Sequence, residues 1–313
     1  MEVVLRKRAP GLLRKKAAYQ WKLIKKHRAQ YLFVLPYLLI FLTFTMIPVI
    51  VSMVISFTSF NILEPPRFIG IQNYFRLFVG DKIFVQSIKN TIVFAVVTGP
   101  VGYMISLLIA WVINDHPRHE RVFFTVLFYA PSLTGGLTAI MKILFSSDRY
   151  GFLNAILLSL GLLTEPVLFL EDLRFINGII IFVILWGSMG TQFLSFIAGL
   201  QGIDRQYYEA GAMDGITNRW QELWFITLPL MKPQLMFGAV LSITGSLGVG
   251  SIITGLVGFP SKEYAAHTIM LHLSDYGGVR YEMGYASAIA TVLFLIMIFC
   301  NKGIQKLLSK VGA

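Results

Sequence analysis

Six apolar segments, at 31–57, 88–113, 122–145, 175–197, 235–257 and 283–300, constrain this chain more than anything else in it. Each is long enough to cross a hydrocarbon layer about 30 Å thick, which takes about 20 helical residues. Lipid offers no water to unsatisfied backbone N–H and C=O groups, so a crossing segment must bond them within a helix or close them into a barrel. Barrel strands alternate apolar and polar residues over about 10 positions, and these runs do not alternate. The fold class is therefore all-α, a polytopic membrane helical bundle with six transmembrane helices. Only 14% of the residues are charged against 56% hydrophobic, where a soluble domain carries about 25% charge. The first apolar segment begins too late and runs too long for a cleaved signal peptide.

Orientation follows from the distribution of Lys and Arg. With the amino terminus inside, the inner segments hold 18 of these residues and the outer loops at 58–87, 146–174 and 258–284 hold 7. Six spans then place both termini in the cytoplasm. The net charge of +11 could suggest nucleic acid, but the excess sits at one end. Arg6, Lys7, Arg8, Arg14, Lys15, Lys16, Lys22, Lys25, Lys26 and Arg28 face only Glu2, a basic juxtamembrane arm or a solvated tail rather than the basic face of a nucleic-acid-binding domain. The expected organisation is a cytoplasmic arm at 1–30, a permeation domain at 31–300 with a long cytoplasmic loop at 198–234, and a short cytoplasmic tail at 301–313. The single Cys300 lies in an apolar run and permits no disulfide argument.

The long inner loop carries the stretch EAGAMDGITNRWQELWFITLP, from Glu209 to Pro229. Tyr208, Ala212, Ile216 and Trp220 recur every four residues and could form one apolar stripe, while Gly211 and Gly215 permit close approach of another surface. The pattern suits a short helix at the membrane face. It either docks into a partner's groove or anchors the loop at the interface. Pro229 and Pro233 would end the loop and restart the chain toward the membrane.

This stretch resembles the EAA motif of ATP-binding-cassette importer permeases, in which E-A-A, three residues, G, nine residues and I-x-L-P follow in order. Glu209, Ala210, Gly215, Ile226, Leu228 and Pro229 match; Gly211 replaces the second Ala, and ten residues separate Gly215 from Ile226. Residues 129–154, 196–215 and 281–298 are similar to the carbohydrate-uptake permeases of the maltose and multiple-sugar type. The resemblance implies a permease subunit in the bacterial cytoplasmic (inner) membrane. It would form a heterodimer with a second permease and work with two ATPase subunits and a periplasmic or extracellular solute-binding protein. The cargo implied is a carbohydrate, with a polyol or a glycerol phosphate derivative as the alternative. It also implies a coupling helix seated in the ATPase, with Glu209, Ala210, Gly211, Asp214 and Gly215 at the contact and Ile226, Leu228 and Pro229 closing the loop. The chain has no G-x-x-x-x-G-K-[ST] phosphate cradle, so ATP and Mg belong to the partner subunits, this subunit holds no cofactor and it is not itself an enzyme. A membrane enzyme would show ionisable groups within the spans, and a stand-alone carrier would more often show repeated halves; neither feature stands out here.

Polar residues inside spans point to the bundle interior more often than to lipid. Ser188, Thr191 and Ser195 fall on one stripe of the fourth segment, and Ser242 and Ser246 on one of the fifth, with Trp186 as an aromatic neighbour. Hydroxyls beside an aromatic ring would suit a sugar; small polar residues equally serve close helix packing, the heavier of the two readings. His116, His119, His267 and His272 lie in loops without a supporting ligand cluster, so no metal site is expected and solvated histidines are favoured. Asp148, Glu165, Glu171, Asp172, Lys262, Glu263, Asp275, Arg280 and Glu282 populate the outer loops, as binding-protein contacts or as a solvated rim.

Overall fold

The computed structural model describes residues 26–133 and 136–308, so most of the basic arm, Arg6 to Lys25, and the last five residues lie outside it. The chain divides into two bodies, Met1–Val54 and Ile55–Ala313. The described part of the first is a single helix, α1 (Arg28–Ile55, its last residue in the second body). Leu32, Phe33, Val34 and Leu35, about 100° apart around the axis, leave it apolar around its whole circumference, and none of its residues is buried. A helix of that kind needs lipid or other chains around it.

The second body opens with a small antiparallel hairpin, β1 (Thr58–Ser59) and β2 (Arg67–Phe68), in which Thr58 stands opposite Phe68. Helix α2 (Lys82–Asn114) is 33 residues long, about 50 Å at 1.5 Å per residue. Asp81 caps its start by accepting from the Phe84 amide at 2.9 Å. There follow α3 (Arg118–Leu133), α4 (Leu137–Leu144), α5 (Phe152–Ser159), α6 (Leu173–Gly187) and α7 (Thr191–Gln201). The loop at 198–234 contributes α8 (Arg205–Met213) and α9 (Arg219–Leu230). Last come α10 (Lys232–Leu247), α11 (Gly250–Val257), α12 (Ile269–Ser274) and α13 (Met283–Leu308).

Among the described residues four helices can cross a membrane unbroken by a sharp bend, namely α1, α2, the α6–α7 run and α13. The segment expected at 122–145 is a bent pair, with α3 and α4 at 83°. The segment expected at 235–257 is also not one helix. Its first part, α10, meets α9 at 82° and ends at Leu247, and α11 restarts at Gly250. Gly245, Gly248 and Gly250 cluster at that break, where poor helix formers let the chain leave the helix cheaply. Counting each bent pair as one span gives up to six. The last helix runs past the expected end at Cys300 to Leu308.

Helix α2 packs chiefly against α7 and α10, which also pack on each other. Three cores follow from this. Leu107, Ala110 and Ile113 meet Phe193, Phe196, Leu200, Met231 and Leu235 in one. Ile176, Ile180 and Val183 of α6 meet Ile253 and Leu256 of α11 in the second. In the third, Leu77 and Phe84 meet Ile269, Tyr285 and Ile289.

Candidate coupling loop and transport cleft

Helix α8 is defined at both ends by its own sequence. The Asp204 carboxylate accepts from the Gln206 amide at 3.1 Å and caps the start, satisfying one of the orphan donors there. At the other end Ile216 N–H donates to Gly211 C=O at 2.9 Å and Gly215 N–H to Ala212 C=O at 3.3 Å, the paired bonds of a Schellman cap. Such a cap needs a left-handed residue, and Gly215 has φ +90°. Its glycine is thus required by the backbone, with nothing standing within 4 Å of an added Cβ. The stripe expected from Tyr208, Ala212, Ile216 and Trp220 does not form, because the helix ends at Met213 and Trp220 belongs to α9. Tyr208 and Gly211 turn inward instead, while Glu209, Ala210, Ala212, Asp214 and Met213 face out.

Gly211 is buried against Ile226. A Cβ on it would stand 2.5 Å from Ile226 Cδ1 and 3.2 Å from Ile216 Cδ1. Tyr208 OH and Thr227 Oγ1, 3.0 Å apart, share a hydrogen bond between the same two helices. The extra residue between Gly215 and Ile226 finds its place in α9, where Leu223–Thr227 form a π turn and Leu228 N–H reaches back to Leu223 C=O. A π turn holds one residue more than an α turn, so Ile226 reaches Gly211 despite the longer spacing. Leu228 and Pro229 are half-buried in the short helical stretch that follows. Among the described residues Glu209 has one ion-pair partner, Arg205, at 3.2 Å on the exposed surface.

The loop is braced on the spans. Asn218 caps α9 at the Trp220 amide (2.9 Å), Arg219 pairs with Asp115 at the exit of α2, and the Trp111 and Trp220 rings lie 5.0 Å apart. Helix α9 thus joins α8 to α2 and α10.

Between the α6–α7 break and the α10–α11 break lies a cleft of about 280 Å³ lined by Thr98, Ser188, Thr191, Gln192, Ser242, Gly245 and Ser246, with no charged side chain. The structure thus brings together four of the six expected pathway residues. Trp186 stacks on Phe182 and Ser195 is half-buried, and neither lines the cleft. Ser188 Oγ donates to Leu185 C=O, Ser242 Oγ to Gly99 C=O and Ser246 Oγ to Ile243 C=O. Added Cβ atoms on Gly99 and Gly102 would meet Ser246 Oγ at 3.2 Å and Ser188 Cβ at 3.0 Å. These serines pack helices as well as edge the cleft. Gln192, which the sequence reading passed over, is buried and donates through Nε2 to Ser106 Oγ at 3.1 Å. A Gln among Phe and Leu in a span was the signal available.

At the other end of α2 the histidines depart from expectation. His267 and His272 are buried, not solvated. His267 Nε2 lies 3.1 Å from His272 Nδ1, and His272 Nε2 lies 3.0 Å from Asp81 Oδ2, which also accepts from Tyr285 OH at 2.9 Å. Burial holds both imidazoles below their ordinary value, His267 at about 4, so the pair is neutral at pH 7. Burial alone would raise the Asp81 carboxyl, but the Phe84 amide, Tyr285 and His272 together hold it below its usual range. Above this relay, Arg76 pairs with Glu282 at 2.5 Å and lies 4.2 Å over the Tyr285 ring, and Arg280 pairs with Asp275 at 2.8 Å. Those charges knit the fold together and are not a freely solvated rim. Asp172 and Asp148 serve as local caps, at Arg174 N and at Gly151 N.

A bundle of broken spans around an uncharged cleft, with an exposed capped helix braced on it from one side, defines the membrane subunit of a transporter. Residues 120–310 match the family described as the binding-protein-dependent transport system inner membrane component, and the chain belongs to that family. It is 31% identical over 279 residues to a probable ABC transporter permease protein, YesP, of Bacillus subtilis (strain 168), covering 87% of this chain and 88% of that one. It is 30% identical over 274 residues to the lactose transport system permease protein LacF of Rhizobium radiobacter, covering 86% and 89%. The crystal structure of a bacterial ABC transporter involved in the import of the acidic polysaccharide alginate contains a chain that superposes with TM-score 0.73 at 26% identity, over 92% of this chain and 99% of that one. This chain is a permease component of a binding-protein-dependent ABC importer.

Proposed function

We propose that the chain is one of two permeases of a carbohydrate importer, with six spans and both termini in the cytoplasm. It would take an oligosaccharide from an external binding protein and be driven by two ATPase subunits that hold ATP and Mg. The observation that carries this reading is α8, an outward-facing helix with small residues on its exposed side, capped at both ends and tied through Ile226, Thr227 and Arg219 to the spans. Glu209, Ala210, Asp214 and Gly215 form its contact with the ATPase, and Gly211, Ile226, Leu228 and Pro229 carry the displacement inward. Ligand binding at the cleft and nucleotide binding on the partners bias the same two states of the bundle. The cleft sits where two spans are broken, the position at which membrane transporters place polar sites out of reach of lipid. Thr191, Gln192 and the hydroxyls of Ser188, Ser242 and Ser246 contact the sugar there. Lactose is what the similar Rhizobium permease is named for, and an uncharged cleft suits such a neutral solute.

ATP hydrolysis by the purified assembly in lipid discs, with and without its binding protein and a panel of neutral and acidic saccharides, tests the proposal. Stimulation by a saccharide only in the presence of the binding protein is the expected result. Intact basal hydrolysis that no saccharide stimulates would sink the carbohydrate reading and point to a polyol or a glycerol phosphate derivative.

A further inference from the structure

The inner loop contains two helices of opposite character, and only α8 has the surface of a protein-docking element. Helix α9 presents Trp220, Trp224 and Phe225 outward at 62, 68 and 65% exposure, while Leu223, Ile226 and Thr227 on its other side are buried. We propose that α9 lies in the bilayer interface with Trp224 and Phe225 seated at the boundary between headgroups and acyl chains, anchoring α8 to the membrane plane.

Three observations fix the occupant as lipid. Helix α9 makes an angle of 82° with α10, so if α10 crosses the membrane, α9 runs nearly along its surface. Both its ends are tied to span ends: Arg219 pairs with Asp115, the residue that closes α2, and Leu230 is separated from α10 by Met231 alone. A helix of 12 residues, about 18 Å long, held at span level at each end stays at that depth along its length. Finally, Trp220 packs tilted against Trp111 in the last turn of α2, with ring centroids 5.0 Å apart, which sets its ring at the level where a long apolar helix leaves the hydrocarbon. Indole rings prefer that level because the apolar ring and the polar N–H are both satisfied there. Exposed large aromatic side chains beside a polar rim otherwise mark a protein interface; here the tether geometry selects the bilayer. The inference rests on α2 and α10 crossing the membrane and is independent of what α8 contacts.

The test places the photo-crosslinking residue p-benzoylphenylalanine in the full assembly in its native membrane at Trp224, at Phe225 and, as a comparison, at Met213 on the exposed side of α8. Irradiation at Trp224 and Phe225 is expected to add the mass of one phospholipid to the permease. Met213 is expected to crosslink to another protein chain. A protein adduct at both Trp224 and Phe225 would show that a subunit covers α9, and the absence of any adduct there would place it in water; either result overturns the proposal. Loss of the protein adduct at Met213 alone would count against the coupling role of α8 and leave the lipid seat of α9 standing.

Discussion

Gly211 to Ala is the substitution whose outcome is least intuitive, because it restores the motif's usual residue. A Cβ at 211 would stand 2.5 Å from Ile226 Cδ1, about 1 Å inside ordinary contact. Replacing Gly by Ala inside a helix contributes about 1 kcal/mol of stability. Overpacking a filled core costs about 1–3 kcal/mol, so the net change is a loss of about 0–2 kcal/mol. Ile226→Val removes the Cδ1 in the way. Alone it costs about 0.5–1.5 kcal/mol, but on top of Gly211→Ala it relieves the clash. The two changes should therefore compensate each other by about 1–2 kcal/mol in a double-mutant cycle. Thermal unfolding of the four purified variants supplies the stabilities, and substrate-stimulated ATP hydrolysis of the assembled complexes reports whether the contact between α8 and α9 still transmits. Additivity within about 0.5 kcal/mol would refute the idea that Gly211 is glycine because Ile226 occupies its Cβ space.

A Cβ at position 215 meets no atom within 4 Å, but Gly215→Leu must adopt φ +90°, which costs an L-residue about 1–2 kcal/mol; the complex is expected to fold and hydrolyse ATP while transport falls, and a variant transporting at the normal rate would defeat the coupling assignment. Acid should weaken the amino-terminal end of α2. His267 takes up a proton near pH 4 when folded against 6.5 ordinarily, so between those values the unfolded chain binds more protons and stability rises with pH. The contribution is complete above about pH 6.5 and is lost as pH falls toward about 4, about 2 kcal/mol of it by pH 5. Melting temperatures at pH 7 and pH 5 should differ by less in His267→Phe than in the unaltered protein, and equal differences would remove His267 from the explanation.

The long apolar runs made the helical, membrane-embedded class legible, since their length alone decides it. Bends were not legible. Nothing in the hydropathy of 122–145 marks the 83° turn between α3 and α4, and nothing in that of 235–257 marks the stop at Leu247. In the coupling loop, residue spacing suggested one stripe through Trp220, but a left-handed Gly215 ends the helix first. The ten-residue spacing before Ile226 read as an insertion, and only the π turn shows how the chain absorbs it. Hydroxyl periodicity found Ser188, Thr191, Ser242 and Ser246 because a cleft between broken helices is lined by their inward stripes. Trp186 and Ser195 do not line the cleft: Trp186 packs against Phe182 one turn earlier in α6, and neither placement is readable from hydroxyl spacing. His267 and His272 looked like loop histidines because burial in an irregular segment comes from distant elements, here α2 and α13, and leaves no local pattern.

Asp81 is where three separate parts of the chain converge: its carboxylate holds the first turn of α2, His272 of α12 and Tyr285 of α13 at once. Pulling any one of these away would strand a buried acceptor or donor, so the adjoining ends of the three helices are held as one block. Under the proposed transport cycle that block would act as the arm of a lever. The fulcrum then falls at the joints the sequence leaves soft, Ser188–Gly190 between α6 and α7 and Gly248–Val249 between α10 and α11, which flank the cleft. On that reading the stroke of the partner ATPases would be delivered as rotation about the cleft rather than as distortion of the rim.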